Sequence, residues 1–167
     1  MTARYPTLDI VRSATLIDYF HHALHHAARQ RSVKADDATL HYLTLLLGSY
    51  ARSDRVFDFS DQHLRITPLA LLYAEALHAN SERERRLWLQ RLGDIALFVG
   101  GLFSGQLGRR FGSRKYCIDM GTNAYGYLYD TAESGVNPGI IDVFGDLAEG
   151  FEHFVDIVSV VARPAPA

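Results

Sequence analysis

The chain is poor in cysteine and carries no excess of charge of either sign. Cys117 is its single cysteine, which excludes an intramolecular disulfide and any cysteine-rich zinc or iron–sulfur site. The 17 basic and 19 acidic residues nearly cancel, so no global field would attract the phosphates of nucleic acid or an anionic membrane surface. We therefore expect a protein of a reducing compartment that does not bind nucleic acid.

Long apolar runs are also missing. The longest nearly apolar stretch, residues 95–107, is shorter than the roughly 20 residues that span a bilayer, and glycines interrupt it. Residues 1–6 lack the apolar stretch and the small-residue cleavage site of a secretory signal. These features predict a cytoplasmic protein without a transmembrane segment.

What the chain does contain is a globular composition with a helical pattern. Hydrophobic residues make up 48% and charged residues 22%, as in proteins with an ordered core, and 167 residues suit one domain. Apolar residues recur every three or four positions, and no segment alternates with a period of two. The sequence predicts an all-α fold, a single-domain bundle of about six helices with its core in residues 8–162 and a disordered tail at 163–167.

Caps and turn residues divide this pattern into helices. Thr67 followed by Pro68 predicts an N-cap with proline at the first helical position, and Ser81 with Glu84 predicts a capping box. The predicted helices run from about 8 to 31, 37 to 53, 68 to 79, 116 to 134 and 141 to 162, with a long one starting at 81. Residues 54–66 are predicted to form the longest internal loop.

Two of these helices are expected at the centre of the bundle. The third is apolar nearly all round, which is typical of a central helix. The fourth is interrupted by glycines, each of which costs up to about 1 kcal/mol relative to alanine in a helix interior. They indicate a close helix crossing or a bend, and are Gly93, Gly100, Gly101 and Gly105.

Acidic residues and histidines on several helices raise the question of a metal site. Glu75 and His78 have the Glu-x-x-His spacing of ligands in the di-iron sites of helical bundles, and His21, Asp94 and Glu149 could complete the set. The second helix supplies no carboxylate between residues 39 and 53, so the full pattern is not met. An iron-containing bundle, of di-iron or haem type, is therefore one alternative.

The first helix carries Asp18, His21, His22, His25 and His26. Histidines four residues apart share a helix face and can both reach one metal ion. Turning 100° per residue from the apolar stripe places His22 and His26 opposite the core, Asp18 and His25 towards solvent, and His21 near the boundary. The pattern predicts a polar face rich in histidine rather than a metal site.

Asp94 stands in the apolar segment 92–98, where an unpaired carboxylate is costly to bury. We expect a partner for it in Arg109, Arg110 or Arg114, unless the carboxylate lies at a helix edge and reaches water. A catalytic acid with a shifted pKa is the alternative interpretation.

The helix predicted at 116–134 is rich in tyrosine, a residue that serves in cores, at protein interfaces and in ligand pockets. As a partner surface, together with the adjoining basic cluster, the candidates are Tyr116, Tyr125, Tyr127, Tyr129, Arg109, Arg110 and Arg114. As a pocket for a small ligand, the candidates are Asp119, Asn123 and Tyr127. Ordinary packing is the third interpretation, and it is also the one favoured for Cys117.

Three segments of the chain resemble a set of bacterial all-helical proteins that have no assigned activity. The segments are Leu92-Gly93-Asp94-x-x-Leu97-Phe98, Tyr116-x-Ile118-Asp119-Met120-Gly121-x-x-Ala124-Tyr125 and Phe151-x-x-Phe154-Val155-Asp156. The likeness covers roughly residues 37–160. It implies an all-helical single domain and carries over no catalytic residue.

The signatures of common enzyme classes are missing from the chain. It has no G-x-S-x-G, no P-loop, no H-E-x-x-H and no strand followed by G-x-G-x-x-G. The sequence therefore favours a non-enzymatic interaction or regulatory module that acts through a protein–protein surface, with another protein or a second copy in a homodimer as partner. A helical-bundle metalloprotein with iron, acting as an oxidoreductase, and a small-ligand sensor are the alternatives.

Overall fold

The computed structural model of the chain describes residues 6–52, 68–102 and 112–162. They form α1 (Pro6–Gln30), α2 (Asp37–Arg52), α3 (Leu69–Leu77), α4 (Glu82–Leu102), α5 (Arg114–Asp130), α6 (Pro138–Glu149) and α7 (Phe151–Ala162). The predicted loop at 54–66, the predicted N-cap Thr67 and the predicted tail at 163–167 lie outside the described residues. None of the described helices is both long enough and apolar enough to cross a membrane.

Every regular element in this part of the chain is a helix, which confirms the all-α fold. There are seven described helices rather than about six, because the helix predicted from residue 141 onward is two helices that meet at Gly150. The backbone leaves helical geometry there, with φ −104° and ψ 20°. The break lets α6 pack against α5 and α2 while α7 packs against α4 and α1.

α4 is the central helix, whereas α3 lies at the edge of the bundle. α4 packs against α3, α5 and α7, and α3 packs mainly on α4. Leu71, Tyr73 and Leu77 of α3 stay about half exposed. The buried residues of α3 are Leu69, Leu72 and Ala76. The prediction that α3 is central is therefore wrong, because among the described helices α4 alone packs extensively on it.

Local side-chain caps set where α4 and α5 begin. In the predicted capping box, Ser81 Oγ accepts from the N–H of Glu84 at 3.1 Å, while the Glu84 carboxylate accepts from the N–H of Asn80 at 3.0 Å. α5 begins slightly earlier than predicted because Ser113 caps it, its Oγ accepting from the N–H of Tyr116 at 3.1 Å. The predicted cap by Ser81 is confirmed, whereas Glu84 reaches back to the N–H of Asn80 and not to that of Ser81.

Close helix crossings account for two of the glycines in α4. A Cβ atom at Gly93 would lie 2.7 Å from the ring of Tyr125, and one at Gly101 would lie 2.7 Å from Cβ of Val158. α5 and α7 therefore approach α4 at distances that only a residue without a side chain permits. The predicted close crossing is confirmed at both positions, while Gly105 lies outside the described residues.

Candidate functional site

The carboxyl group of Asp94 links three helices. The hydroxyls of Tyr42 on α2 and Tyr125 on α5 both donate to Oδ1 of Asp94 on α4, each at 2.6 Å. Nε2 of Gln90 donates to the Tyr42 hydroxyl at 3.1 Å and extends the chain of hydrogen bonds. The partners that the sequence predicted for this partly buried carboxyl group are thus phenol hydroxyls.

Burial shifts the ionisation of this group. Desolvation raises the pKa of Asp94 to about 6, against the lowering effect of the hydrogen bonds from Tyr125 and Tyr42. Burial, followed by the nearby charge of Asp94, also raises the pKa of both tyrosines. The two hydroxyls therefore stay protonated at physiological pH and remain donors to the carboxyl group.

Arg114 pairs with α7 instead of Asp94, so the prediction of an Arg114–Asp94 pair is wrong. Its guanidinium lies 2.6 Å from Oδ1 of Asp156 and 3.2 Å from Oε1 of Glu152. The reason is position: Arg114 is in the first turn of α5, about 16 Å along the helix from Tyr125, which contacts Asp94. Arg109 and Arg110 lie outside the described residues.

The four tyrosines of the predicted partner surface fall in different environments. Tyr125 is fully buried among aromatic rings of α6 and α7, so it belongs to the core. Tyr127 is partly buried, and its hydroxyl donates to Glu82 at 2.8 Å. Tyr116 and Tyr129 are 37% and 49% exposed. Cys117 on the same helix is buried, as expected for a core residue, and burial raises the pKa of its thiol.

An apolar stripe lies on the surface of α3. Ala70, Tyr73, Ala74 and Leu77 follow the spacing i, i+3, i+4 and i+7, and therefore share one side of the helix. Tyr73 is 46% exposed and Leu77 is 56% exposed. We name these four residues the α3 ridge. Large apolar side chains that adjoin one another at the surface often mark an interaction site.

A groove runs beside the α3 ridge. α3 and α5 both pack against α4 but make hardly any contact with each other, which leaves a cavity of about 510 Å³ between them. α4 contributes Leu89 and Leu92 to its lining, and α5 contributes Met120 and Ala124. The other lining residues are Tyr73, Ala76, Leu77, Arg85, Asn123 and Tyr127. We name this cavity the α3–α5 groove.

Two polar side chains at the groove are bonded to other groups of the protein. Nε of Arg85 donates to the carbonyl oxygen of Ala76 at 3.1 Å, and the guanidinium also pairs with Glu82 at 3.0 Å. The Tyr127 hydroxyl donates to the same carboxylate. Because the charge of Arg85 is already opposed, apolar contact is the main interaction that the groove offers.

The residues predicted as a ligand pocket are only partly brought together. Asn123 and Tyr127 line the α3–α5 groove, but Asp119 is exposed and pairs with Lys115 at 2.6 Å. Asn123 and Tyr127 also border a second, polar depression of about 640 Å³. Its acidic residues are Asp36, Asp130, Asp142, Asp146 and Glu149.

The residues predicted as metal ligands are spread over several helices. Glu75 and His78 are exposed at α3, His21 is exposed on α1, and Asp94 on α4 accepts its two tyrosine hydrogen bonds. Glu149 is exposed on α6. Across residues 6–52, 68–102 and 112–162, no three histidine, cysteine, aspartate or glutamate side chains are grouped so that they could hold a metal ion.

The histidine-rich side of α1 is a polar face, as predicted. Asp18, His21, His22 and His26 are exposed. His25 is partly buried, and its ring lies 4.3 Å from that of His21 between centroids. Burial, followed by the nearby His21, lowers the pKa of His25. The inner edge of the face is thus at His25 and not at His21, where the sequence placed it.

Sequence reasoning missed the α3 ridge. A helix that is apolar around its circumference predicts burial, and the periodicity does not distinguish cover by the same chain from cover by a partner. The short connection from α3 to Glu82 specifies α4 as one neighbour of α3. Nothing in the sequence specifies a helix that would cover the other side of α3. This missing neighbour was the one sign in the sequence that part of α3 stays exposed.

Comparison of the chain with protein-family models, with curated proteins and with solved structures finds no match. The resemblance to bacterial helical proteins without assigned activity therefore stays a prediction. What the chain can bind has to be argued from its own geometry.

Proposed function

We propose that the chain is a non-enzymatic helical interaction module that receives an amphipathic helix of a protein partner in the α3–α5 groove. The observation that carries the proposal is the juxtaposition of an uncharged, half-exposed ridge with an apolar groove. An amphipathic helix laid into an apolar groove is a recurring mode of peptide recognition, with anchors at i, i+3, i+4 and i+7.

The length of the groove suits this occupant. A helix that places its first and last anchors seven residues apart covers about 10.5 Å, and the groove residues of α5, from Met120 to Tyr127, are also seven positions apart. Such an occupant would cover both the groove lining and the exposed rims formed by Tyr73 and Leu77. A small molecule within the groove would leave much of those rims in water, so the rims favour a helix as occupant.

The groove also offers few ionisable groups that could act as an acid, a base or a nucleophile. Arg85 is the one ionisable side chain that lines it besides the tyrosines, and it is engaged by Glu82 and by a backbone carbonyl. Asp94, whose pKa is strongly shifted, does not line the groove, and its Oδ1 is taken by two tyrosine hydroxyls. Both observations favour binding over chemistry at this site.

The proposal is tested with a helical probe peptide of about 16 residues, labelled with fluorescein and built on alanine, lysine and glutamate with leucines at i, i+3, i+4 and i+7. Fluorescence anisotropy is expected to show binding to the wild type with a dissociation constant in the micromolar range. Leu77→Glu and Tyr73→Glu put a charge on the rim and are expected to weaken binding by about tenfold or more.

Two controls accompany this experiment. Leu45→Glu changes a leucine of similar exposure, 44%, on α2 and is expected to bind the probe as the wild type does. A peptide of the same composition with leucines spread around the helix is expected to bind at least tenfold more weakly. Equal affinity of the wild type and Leu77→Glu for the probe, or no binding at all, would contradict the proposed function.

A further inference from the structure

The chain itself carries a helix of the kind that the α3–α5 groove would receive. Ala70, Tyr73, Ala74 and Leu77 of the α3 ridge stand at i, i+3, i+4 and i+7 and are exposed or partly exposed. We infer that the partner is a second copy of this chain, with the α3 ridge of each copy lying in the α3–α5 groove of the other. This inference rests on the proposed function and names its partner.

The placement of ridge and groove supports a two-fold pair. Tyr73 and Leu77 belong to both, so the projecting surface and the receiving surface lie side by side on one face of the molecule. A two-fold axis brings the same patch of both copies together, and each ridge then meets the groove of the other copy. An unrelated partner would need only to supply a ridge, and its binding would leave the ridge of this chain without a groove.

The charge of the surface is also compatible with a second copy. An isologous interface brings like surfaces together, so a patch with net charge would repel itself. The α3 ridge has no charged residue, and the one charge in α3, Glu75, lies on a different side of the helix. The guanidinium of Arg85 at the groove is opposed by Glu82. Self-repulsion therefore does not prevent this pairing.

The exposed area of the α3 ridge and the α3–α5 groove limits the affinity expected between two copies. Tyr73 and Leu77 are each about half exposed, which makes roughly 100 Å² per residue available for burial. With the groove lining of both copies added, the total is roughly 600 to 700 Å², the size of a weak, transient interface. We therefore expect a weak, reversible dimer with a dissociation constant of roughly 100 µM.

Sedimentation velocity over a range of about 1 to 500 µM tests the inference on the full chain. The wild-type mass is expected to rise from the monomer value of 18.7 kDa towards twice that value. Leu77→Glu and Tyr73→Glu are expected to stay monomeric with an unchanged helical circular dichroism spectrum, while Leu45→Glu associates like the wild type. An excess of the unlabelled leucine-stripe peptide is expected to dissociate the dimer, because both occupy one groove.

The outcomes separate this inference from the proposed function. A wild type that stays monomeric throughout and still binds the probe peptide overturns the second copy as partner and leaves the groove as a helix-binding site. A wild type that neither associates nor binds the peptide overturns both. Association that Leu77→Glu does not weaken places the self-contact on another surface and also overturns the inference.

Discussion

Replacing Asp94 with asparagine is expected to remove a large pH-dependent component of the free energy of unfolding. An asparagine side chain keeps an oxygen that can accept from Tyr42 and Tyr125, but it never becomes charged. Burial disfavours the ionised form of Asp94, so its pKa is about 6 in the folded chain against 3.8 for a solvent-exposed aspartate. A difference of this size corresponds to about 3 kcal/mol between the two protonation states.

The direction of this pH dependence follows from whether the folded or the unfolded chain binds the proton of Asp94 more tightly. Because the folded pKa is raised, the stabilising contribution of protonated Asp94 is complete below about pH 3.8 and is lost as the pH rises through about 6. Over pH 4.5 to 8, the wild type is expected to lose about 2 kcal/mol relative to Asp94→Asn. Urea unfolding of both proteins across this range measures the difference, and parallel stability curves would contradict it.

Substituting a tyrosine that donates to Asp94 tests whether these hydrogen bonds help to set the pKa of the carboxyl group. The hydrogen bonds from Tyr125 and Tyr42 lower the pKa of Asp94, so Tyr42→Phe is expected to move the loss of stability to higher pH. Tyr73→Phe serves as the matched control, since Tyr73 is exposed on α3. A wild-type profile in Tyr42→Phe would show that the hydroxyl does not hold the carboxyl group.

Gly121→Ala on α5 is expected to destabilise the fold by about 1 to 3 kcal/mol. A Cβ atom at this position would overlap the ring of Phe151, which is 1% exposed and cannot turn into solvent. Relief would require a shift of α5 against α7, and such overpacking typically costs this amount. Chemical denaturation at fixed pH gives the free energy of unfolding directly.

Gly126→Ala on the same helix is the matched control with the opposite sign. A Cβ atom there would have no heavy atom within 4 Å, so only the backbone effect remains. Alanine is favoured over glycine in a helix interior by up to about 1 kcal/mol, and Gly126→Ala is expected to stabilise by that amount. Equal effects of the two substitutions would contradict the close crossing of α5 and α7.

Most of the helices could be predicted because their signals are local. The capping box at Ser81 and Glu84 and the apolar spacing within each helix involve residues less than two turns apart. The break at Gly150 was not predicted, since α6 and α7 both bury stripes with the same spacing and the interval between them is one residue. What separates them is the change of neighbours from α5 to α4, which is a tertiary effect.

The surroundings of Asp94 could be predicted only in part from physical rules. The cost of burying a bare carboxylate correctly required a partner. The identity of that partner depends on Tyr42, which is 52 positions away along the chain, and on Tyr125, 31 positions away. An arginine was expected because charge is opposed by charge, but two phenol hydroxyls satisfy the same oxygen. Only the packing of α2 and α5 on α4 decides between these solutions.

The proposed binding surface could not be predicted from the sequence, for a similar reason. The apolar character of α3 was evident, and the residues of its ridge could be counted off at helical spacing. The groove, in contrast, exists because α3 and α5 share α4 as a neighbour without closing on each other. A gap between helices is a property of the assembled bundle, and no local pattern records it.

Methyl NMR of the wild type during titration with the leucine-stripe peptide shows which residues a bound helix contacts. We expect shifts at Leu89, Leu92 and Met120, which line the α3–α5 groove, with Val143 and Leu147 of α6 unchanged. Shifts confined to α6, or the absence of any shift at peptide concentrations that saturate the anisotropy signal, would contradict the assignment of this groove as the site where a partner helix binds.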